Sequence, residues 1–339
     1  MRILIVRTSA LGDVIHALPV LTALRRHLPQ AKIGWVVEEG MAPVLAGHPD
    51  LDELIVVRLR QWRRRSGGGA AGLRGFLSAL EGFAPEVALD LMGNHKAGVI
   101  SLLSLADRRI GFARPYRREP SSSLWITEPV VPRGMHAVDR MLSLLDALGL
   151  PPEPADFGPR KIFREEPAEI GNLLAADPEP YVLLHPGAGW VNKRYPPAWW
   201  GEAAGRLRAE TGLRTWIAAA PNEETLAAEV EATAAGAAVT VPAPDLPSLA
   251  ALIRRSRLMM GGDTGPTHLA RALGVPALMV LGPTDPDRHG PYGFPEGAVF
   301  KRLPCSFCYK RLPEIKACML EIPPRRIVET ALGLLSGGA

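Results

Sequence analysis

The sequence predicts two doubly wound α/β domains that face each other across a cleft. Three observations point there. The chain has 339 residues, enough for two domains of roughly 100–200 residues each. Short runs of β-forming residues alternate with helical patterns through both halves. Between the halves, Pro151, Pro152, Pro154, Pro159, Pro167, Pro178 and Pro180 cluster as a linker, with one short helix at about Ala168–Ala175 inside it.

The first half opens with the apolar run Ile3–Val6, a Ser- and Gly-containing turn, and a helical pattern through Val14, Leu18, Leu21 and Leu24. Further strands are predicted at Ile33–Val37, Leu54–Val57 and Val87–Leu91, and helical segments near Pro43–Ala46, Gly98–Ala106 and Ala137–Leu148. In the second half the predicted strands are Tyr181–His185, Thr215–Ala219, Ala238–Val241, Leu258–Gly261 and Ala277–Leu281. They alternate with helices near Trp199–Thr211, Glu223–Ala235, Leu246–Ser256 and Thr267–Ala272. Such alternation gives βαβ units on parallel sheets, whose ligands sit beyond the carboxyl ends of the strands. The boundaries read as 1–165 and 166–322, with 323–339 a terminal helix packing back on the first domain.

Composition narrows the class. The chain is 47% hydrophobic and 22% charged, which excludes disorder and collagen-like order. No apolar run reaches the ~18–20 residues of a bilayer crossing. Arg7 and Asp13 follow Ile3–Val6 too soon for a signal-peptide core. Three cysteines make no disulfide framework, so a cytoplasmic protein with reduced thiols is expected.

Charge is uneven. Residues 1–164 hold 22 Lys and Arg against 16 Asp and Glu, whereas residues 165–339 hold 17 against 19. A basic first half predicts an anionic partner there. Arg60, Arg63, Arg64 and Arg65, with Trp62 among them, precede Gly67-Gly68-Gly69 and read either as a solvated loop or as a clamp for phosphate or carboxylate. No nucleic-acid motif accompanies them, so nucleic acid is not expected as a partner.

Three loops carry candidate chemistry. Thr8 to His16 includes Gly12, which permits a close backbone approach, and Asp13, which reads as an N-cap or as a general base. The turn lacks G-x-G-x-x-G, which disfavours a nicotinamide or flavin enzyme. His185-Pro186-Gly187-Ala188-Gly189 is followed by Lys193 and Arg194, cations suited to phosphate oxygens, although no P-loop is present. Gly262-Asp263-Thr264-Gly265-Pro266-Thr267-His268 opens a helix whose amides and dipole favour an anion. With the turn Gly282 to Pro286 they describe a pocket for a nucleoside diphosphate.

The motifs Arg7 to Asp13, Asp263 to His268 and Gly282-Pro283-Thr284-Asp285-Pro286 resemble those of the lipopolysaccharide heptosyltransferases, glycosyltransferase family 9, over nearly the whole chain. Trp35 to Gly40 and Arg60–Arg65 are most similar to the heptosyltransferase I branch, which adds the first L-glycero-D-manno-heptose to Kdo-lipid A. The resemblance implies a GT-B fold, an ADP-heptose donor, and inversion at the anomeric carbon with no required metal or cofactor. It places the catalytic base on Asp13, the donor-phosphate lysine on Lys193, and the phosphate-binding helix start on Asp263, Thr264, Gly265 and His268. Gly12 and Gly187 fall in the donor loops, and Glu223 or Glu224 at the nucleoside. On the acceptor side it places Arg60, Arg63, Arg64, Lys96 and Arg117, with Arg118, His136 and Arg140 as further candidates. Peripheral contact with the cytoplasmic face of the inner membrane is expected from the anionic lipid acceptor.

Two features depart from that branch: His185 to Gly189 replaces a threonine-containing loop, and Cys305-x-x-Cys308…Cys318 is similar to other branches. A transferase acting on a later core acceptor is therefore the alternative. More distant readings are a nucleotide-sugar epimerase and a non-catalytic nucleotide-binding module. The cysteines are expected to be reduced or packed thiols rather than zinc ligands.

Overall fold

The computed structural model describes residues 1–58, 69–220 and 222–337. The chain divides into two compact units, Met1–Ile162 and Phe163–Ala339.

The first unit runs β1 (Arg2–Val6), α1 (Leu11–His27), β2 (Lys32–Glu38), β3 (Glu53–Val57), α2 (Gly69–Phe83), β4 (Val87–Asp90), α3 (His95–Leu103), β5 (Arg108–Phe112), β6 (Glu128–Val130) and α4 (Ala137–Leu142). Its strands form one parallel sheet in the order β3-β2-β1-β4-β5-β6. Ile3, Leu4, Ile5 and Val6 are wholly buried. A central parallel strand covered on both faces has no solvent side, hence the continuous apolar run.

The second unit runs α5 (Ala168–Ala176), β7 (Tyr181–His185), α6 (Pro197–Thr211), β8 (Arg214–Ile217), α7 (Glu224–Thr233), β9 (Ala238–Thr240), α8 (Leu246–Arg255), β10 (Leu258–Gly262), α9 (Gly265–Ala272), β11 (Ala277–Leu281), α10 (Pro286–His289), β12 (Ala298–Phe300), α11 (Ala317–Leu320) and α12 (Pro324–Ser336). Its parallel sheet has the order β12-β11-β10-β7-β8-β9. Counted from its own first strand, this is the strand order of the first unit. In both, the winding reverses between the first and fourth strands, β1 and β4 or β7 and β10. Loops leaving the carboxyl ends of those strands form the ligand crevice of such a sheet.

Several elements differ from the sequence reading. β5, β6, β12 and α2 were not expected. β5 opens with Arg108 and Arg109, whose charges hide a strand; Arg108 pairs with Glu128 of β6 at 2.7 Å. β12 has three residues. α2 begins at Gly69, in the glycine run that read as part of a solvated loop, and buries Phe76, Leu80 and Phe83 against Leu4, Val6, Val36 and Ile55. The segment near Pro43 is a 3₁₀ turn, Glu39–Val44, rather than an α-helix.

The terminal helix, expected to pack back on the first unit, contributes its apolar face to the second. Ile327, Val328, Ala331 and Leu334 of α12 join the core of the second unit around Trp200, Tyr195 and Val280. The Tyr195 hydroxyl donates to the Ile322 carbonyl at 2.7 Å, fixing the approach to α12. The apolar face of α12 is thus used within its own unit.

Candidate active site

In the first unit, β1 ends at Val6 and α1 begins at Leu11, so Arg7 to Ala10 line the switch between β1 and β4. Arg7 spans that switch. Its guanidinium donates to the Leu91 carbonyl after β4 at 2.5 Å and pairs with the Asp13 carboxylate in the first turn of α1. The other Asp13 oxygen accepts the Ala10 amide at 3.1 Å. The N-cap of α1 is Ala10 rather than Asp13; Asp13, three residues on, accepts the cap amide, and its side chain stays 38% exposed. Gly12 lies beside it in the same turn. Lys96, at the start of α3, approaches the same loop, with Nζ 3.5 Å from Ser9 Oγ and 3.4 Å from Glu38 Oε1.

Arg117 requires a correction. Its side chain is fully buried and donates to Asp90 Oδ2 at 2.5 Å, Ser122 Oγ at 2.8 Å and the Phe112 carbonyl at 3.2 Å. Asp90 Oδ1 in turn accepts the amides of Met92 and Gly93. With every nitrogen committed inside the unit, Arg117 braces the loop after β4 and presents no face to an acceptor. Arg140 lies over the Tyr116 ring at 5.6 Å, and His136 caps α4 through Val138 at 3.2 Å. Arg118 is exposed. Arg60, Arg63 and Arg64 lie outside the described residues.

The second unit repeats the plan with a different outcome. Lys193 follows the loop after β7 and reaches Asp263, after β10, at 2.6 Å. Its ammonium also lies 4.8 Å from the Trp190 ring centre. The second Asp263 oxygen is 3.0 Å from His268 Nε2, one turn into α9. Burial works to raise the Asp263 carboxyl. The His268 hydrogen bond and the charges of Lys193, His268 and His289 outweigh it and hold the group well below the usual carboxylate range. Thr264 is the N-cap of α9 and Pro266 lacks an N–H, which leaves the amides of Gly265 and Thr267 as first-turn donors. The Thr267 hydroxyl itself donates to the Gly262 carbonyl at 2.9 Å, so it serves the loop rather than a ligand.

The two glutamates separate. Glu223 turns toward the loop after β7: its carboxylate accepts the Ala220 amide at 3.2 Å and lies 3.7 Å from His185 Nε2. A Cβ on Gly187 would come within 2.0 Å of Glu223 Oε1, so only glycine admits this approach. Glu224 is exposed and accepts the Asn222 amide.

Sequence reasoning missed two supports. Asn192 donates to the Lys310 carbonyl at 2.8 Å and accepts the Leu312 amide at 3.2 Å, tying the Lys193 turn to the Cys308 segment. Asp90 was the other, concealed at the end of an apolar strand. Cys305 and Cys308 are exposed free thiols, and Cys318 is buried. Burial foremost, then the neighbouring Cys305 and Cys308, pushes the Cys318 thiol up. No group of three or more potential metal ligands occurs among the described residues.

Residues 75–318 match the family model described as Glycosyltransferase family 9 (heptosyltransferase). The chain belongs to glycosyltransferase family 9. It is 35% identical over 323 residues to lipopolysaccharide heptosyltransferase 1 of Pseudomonas aeruginosa, covering 92% of this chain and 87% of that one. Its fold is similar to that of the E. coli heptosyltransferase WaaC with ADP, at TM-score 0.81 and 27% identity over 98% of this chain and 100% of that one. The same enzyme with ADP-2-deoxy-2-fluoro heptose superposes at TM-score 0.77, with 27% identity over 98% of this chain and 99% of that one. The family member described here is thus a glycosyltransferase with the two Rossmann-like domains of the GT-B architecture.

Proposed function

We propose that this glycosyltransferase moves L-glycero-D-manno-heptose from ADP-heptose to Kdo-lipid A, inverting the anomeric carbon, in the manner of a heptosyltransferase I. The observation that carries the reading is the Lys193–Asp263–His268 cluster at the start of α9. It presents a fixed cation beside first-turn amides, a cradle for a diphosphate. The fluoro-heptose nucleotide bound by the WaaC relative supports the donor, and the 35%-identical heptosyltransferase 1 supports the acceptor.

In this reading a bond forms between the acceptor hydroxyl oxygen and the anomeric carbon as the bond from that carbon to the diphosphate oxygen breaks. Asp13 takes the hydroxyl proton. A carboxylate is too weak a base to deprotonate a free alcohol outright, so proton transfer runs late and together with bond formation. Lys193 and the amides of Gly265 and Thr267 balance the charge that grows on ADP. Asp263 positions Lys193, and Glu223 is assigned to the nucleoside. Lys96 and the Arg60, Arg63 and Arg64 cluster are assigned to the anionic acceptor, and peripheral contact with the inner-membrane surface belongs to the same reading.

Incubation with ADP-heptose and a panel of deacylated core acceptors, read by mass spectrometry, tests it. The expected product is a Kdo acceptor carrying one heptose. Transfer only to already heptosylated cores would make it a later transferase. Release of sugar or nucleotide without an acceptor would favour an epimerase-like enzyme.

A further inference from the structure

In the second unit a short strap, Tyr309 to Leu312, is fastened to loops on both sides of Asp263. β10, which leads into Asp263, lies between β11 and β7 in the sheet. On the β7 side, Asn192 is 1% exposed and its amide group holds the Lys310 carbonyl at 2.8 Å and the Leu312 amide at 3.2 Å. The Arg311 guanidinium donates to the Gly189 carbonyl in the same loop at 3.3 Å. On the β11 side, the Tyr309 amide donates to the Pro283 carbonyl at 2.9 Å, and the Tyr309 hydroxyl oxygen accepts the Asp285 amide at 3.3 Å.

These ties hold Tyr309 at a φ of 54°, a left-handed conformation that tyrosine rarely adopts. Its ring meets that of His289 edge to face at 5.7 Å, and the Arg288 guanidinium lies 6.0 Å from its centre. The side chain is nevertheless 41% exposed. It shares the surroundings of the Lys193–Asp263 pair: the charge of His289 is among those that hold the Asp263 carboxyl down. Burial foremost pushes the Tyr309 phenol up, with the charges of Asp285 and Asp263 adding to it against the Asp285 amide and Arg288. The phenol therefore keeps its proton at neutral pH.

That proton is uncommitted. A phenolic oxygen both donates and accepts, and here it accepts from Asp285 while its O–H meets no acceptor among the described residues. The cations around it favour an anion over a neutral hydroxyl as the partner. Arg288, Lys310 and Arg311 are exposed, and none is ion-paired among the described residues. A hydrogen bond to an ionised oxygen is also the stronger one.

We propose that Tyr309 is a further donor-binding residue, its hydroxyl donating to an oxygen of the diphosphate that Lys193 and the first turn of α9 receive. Asn192 is its positioning residue, acting through the strap. The assignment deepens the function proposed above and rests on its diphosphate cradle.

Calorimetry on the full chain tests it without any transfer reaction, with ADP and with adenosine, which lacks the diphosphate. Tyr309→Phe keeps the ring against His289 and removes only the hydroxyl. It should keep its melting temperature, bind ADP about tenfold more weakly, and bind adenosine as the wild type does. Asn192→Ala releases the strap and should weaken ADP binding by a similar factor. Adding Tyr309→Phe to it should then cost less than about twofold more, whereas independent residues would multiply their effects. Cys305→Ser, at an exposed thiol ahead of the strap, leaves ADP binding unchanged.

Wild-type ADP affinity in Tyr309→Phe overturns the proposal. So does an equal loss for ADP and adenosine, which places the residue at the nucleoside, or a loss seen with ADP-heptose but not with ADP, which places the hydroxyl at the sugar. Multiplied effects in the double variant remove Asn192 as the positioning residue. A chain whose ADP binding depends on the Tyr309 hydroxyl but that never transfers heptose removes the transferase reading and leaves the diphosphate contact standing.

Discussion

The two units place the same device at the same point of the same strand order and use it differently. In each, a cation from the loop after the first strand reaches across the switch: Arg7 to the Leu91 carbonyl and Asp13, Lys193 to Asp263. The Asp13 side chain is 38% exposed, while that of Asp263 is 7% exposed. An acid that must take a proton from an incoming hydroxyl has to remain reachable. An acid that fixes a lysine is better enclosed, where its charge acts in a low dielectric. Burial, not residue type, separates the two proposed roles.

The largest effect is expected at neither of these acids but at the sealed pair of the first unit. Asp90→Asn leaves the Arg117 guanidinium buried without its counter-charge and should cost about 3–5 kcal/mol in urea denaturation. Asp13→Asn, at a partly exposed position, should change stability by less than about 1 kcal/mol.

Next comes the enclosed acid. Asp263→Asn frees Lys193 and should lower turnover by about a hundred- to a thousandfold, equivalent to ~3–4 kcal/mol of transition-state stabilisation, and weaken ADP binding. If turnover survives while ADP binding is lost, the cluster holds the nucleotide without stabilising its departure.

Acid sensitivity separates the units further. Burial foremost lowers His48 to about 4, with Asp50 opposing and Lys161 assisting; its Nδ1 accepts the Asp50 amide. The unfolded chain therefore binds this proton first, and stability falls as pH drops from about 6.5 toward 4, by up to about 3 kcal/mol. Asp263 is shifted in the same direction, by neighbouring charge rather than by burial, and from a lower starting point: its contribution is full above the ordinary carboxylate range and is lost only as pH falls below it. His48→Gln should flatten the loss between pH 7 and 4, as followed by urea midpoints, whereas Asp263→Asn should not.

The smallest contrast lies at the nucleoside. Glu223→Gln should weaken ADP binding about tenfold, ~1.4 kcal/mol, and Glu224→Gln by no more than about twofold, both read by calorimetry.

Much of this plan was written in local sequence. Buried parallel strands announce themselves as unbroken apolar runs, as Ile3–Val6 and Ala277–Leu281 do, and glycine-bearing turns after them mark the ligand edge. β5 was hidden because Arg108 satisfies its charge across the sheet with Glu128, a pairing no local window contains. α2 kept its spacing of Phe76, Leu80 and Phe83, but the preceding glycines and arginines drew the reading toward a loop. Asp13, Lys193 and Asp263 were legible as candidates through their places in the motifs. That Arg117 is sealed inside, and that Glu223 rather than Glu224 faces Gly187, depends on side-chain direction across distant elements.

The division of labour between a reachable acid and an enclosed one is tested most directly with Asp13→Asn, measuring ADP affinity and heptose transfer on the same preparation. The expected result is ADP affinity within about twofold of wild type and turnover reduced by about a thousandfold. Transfer at close to the wild-type rate would contradict it.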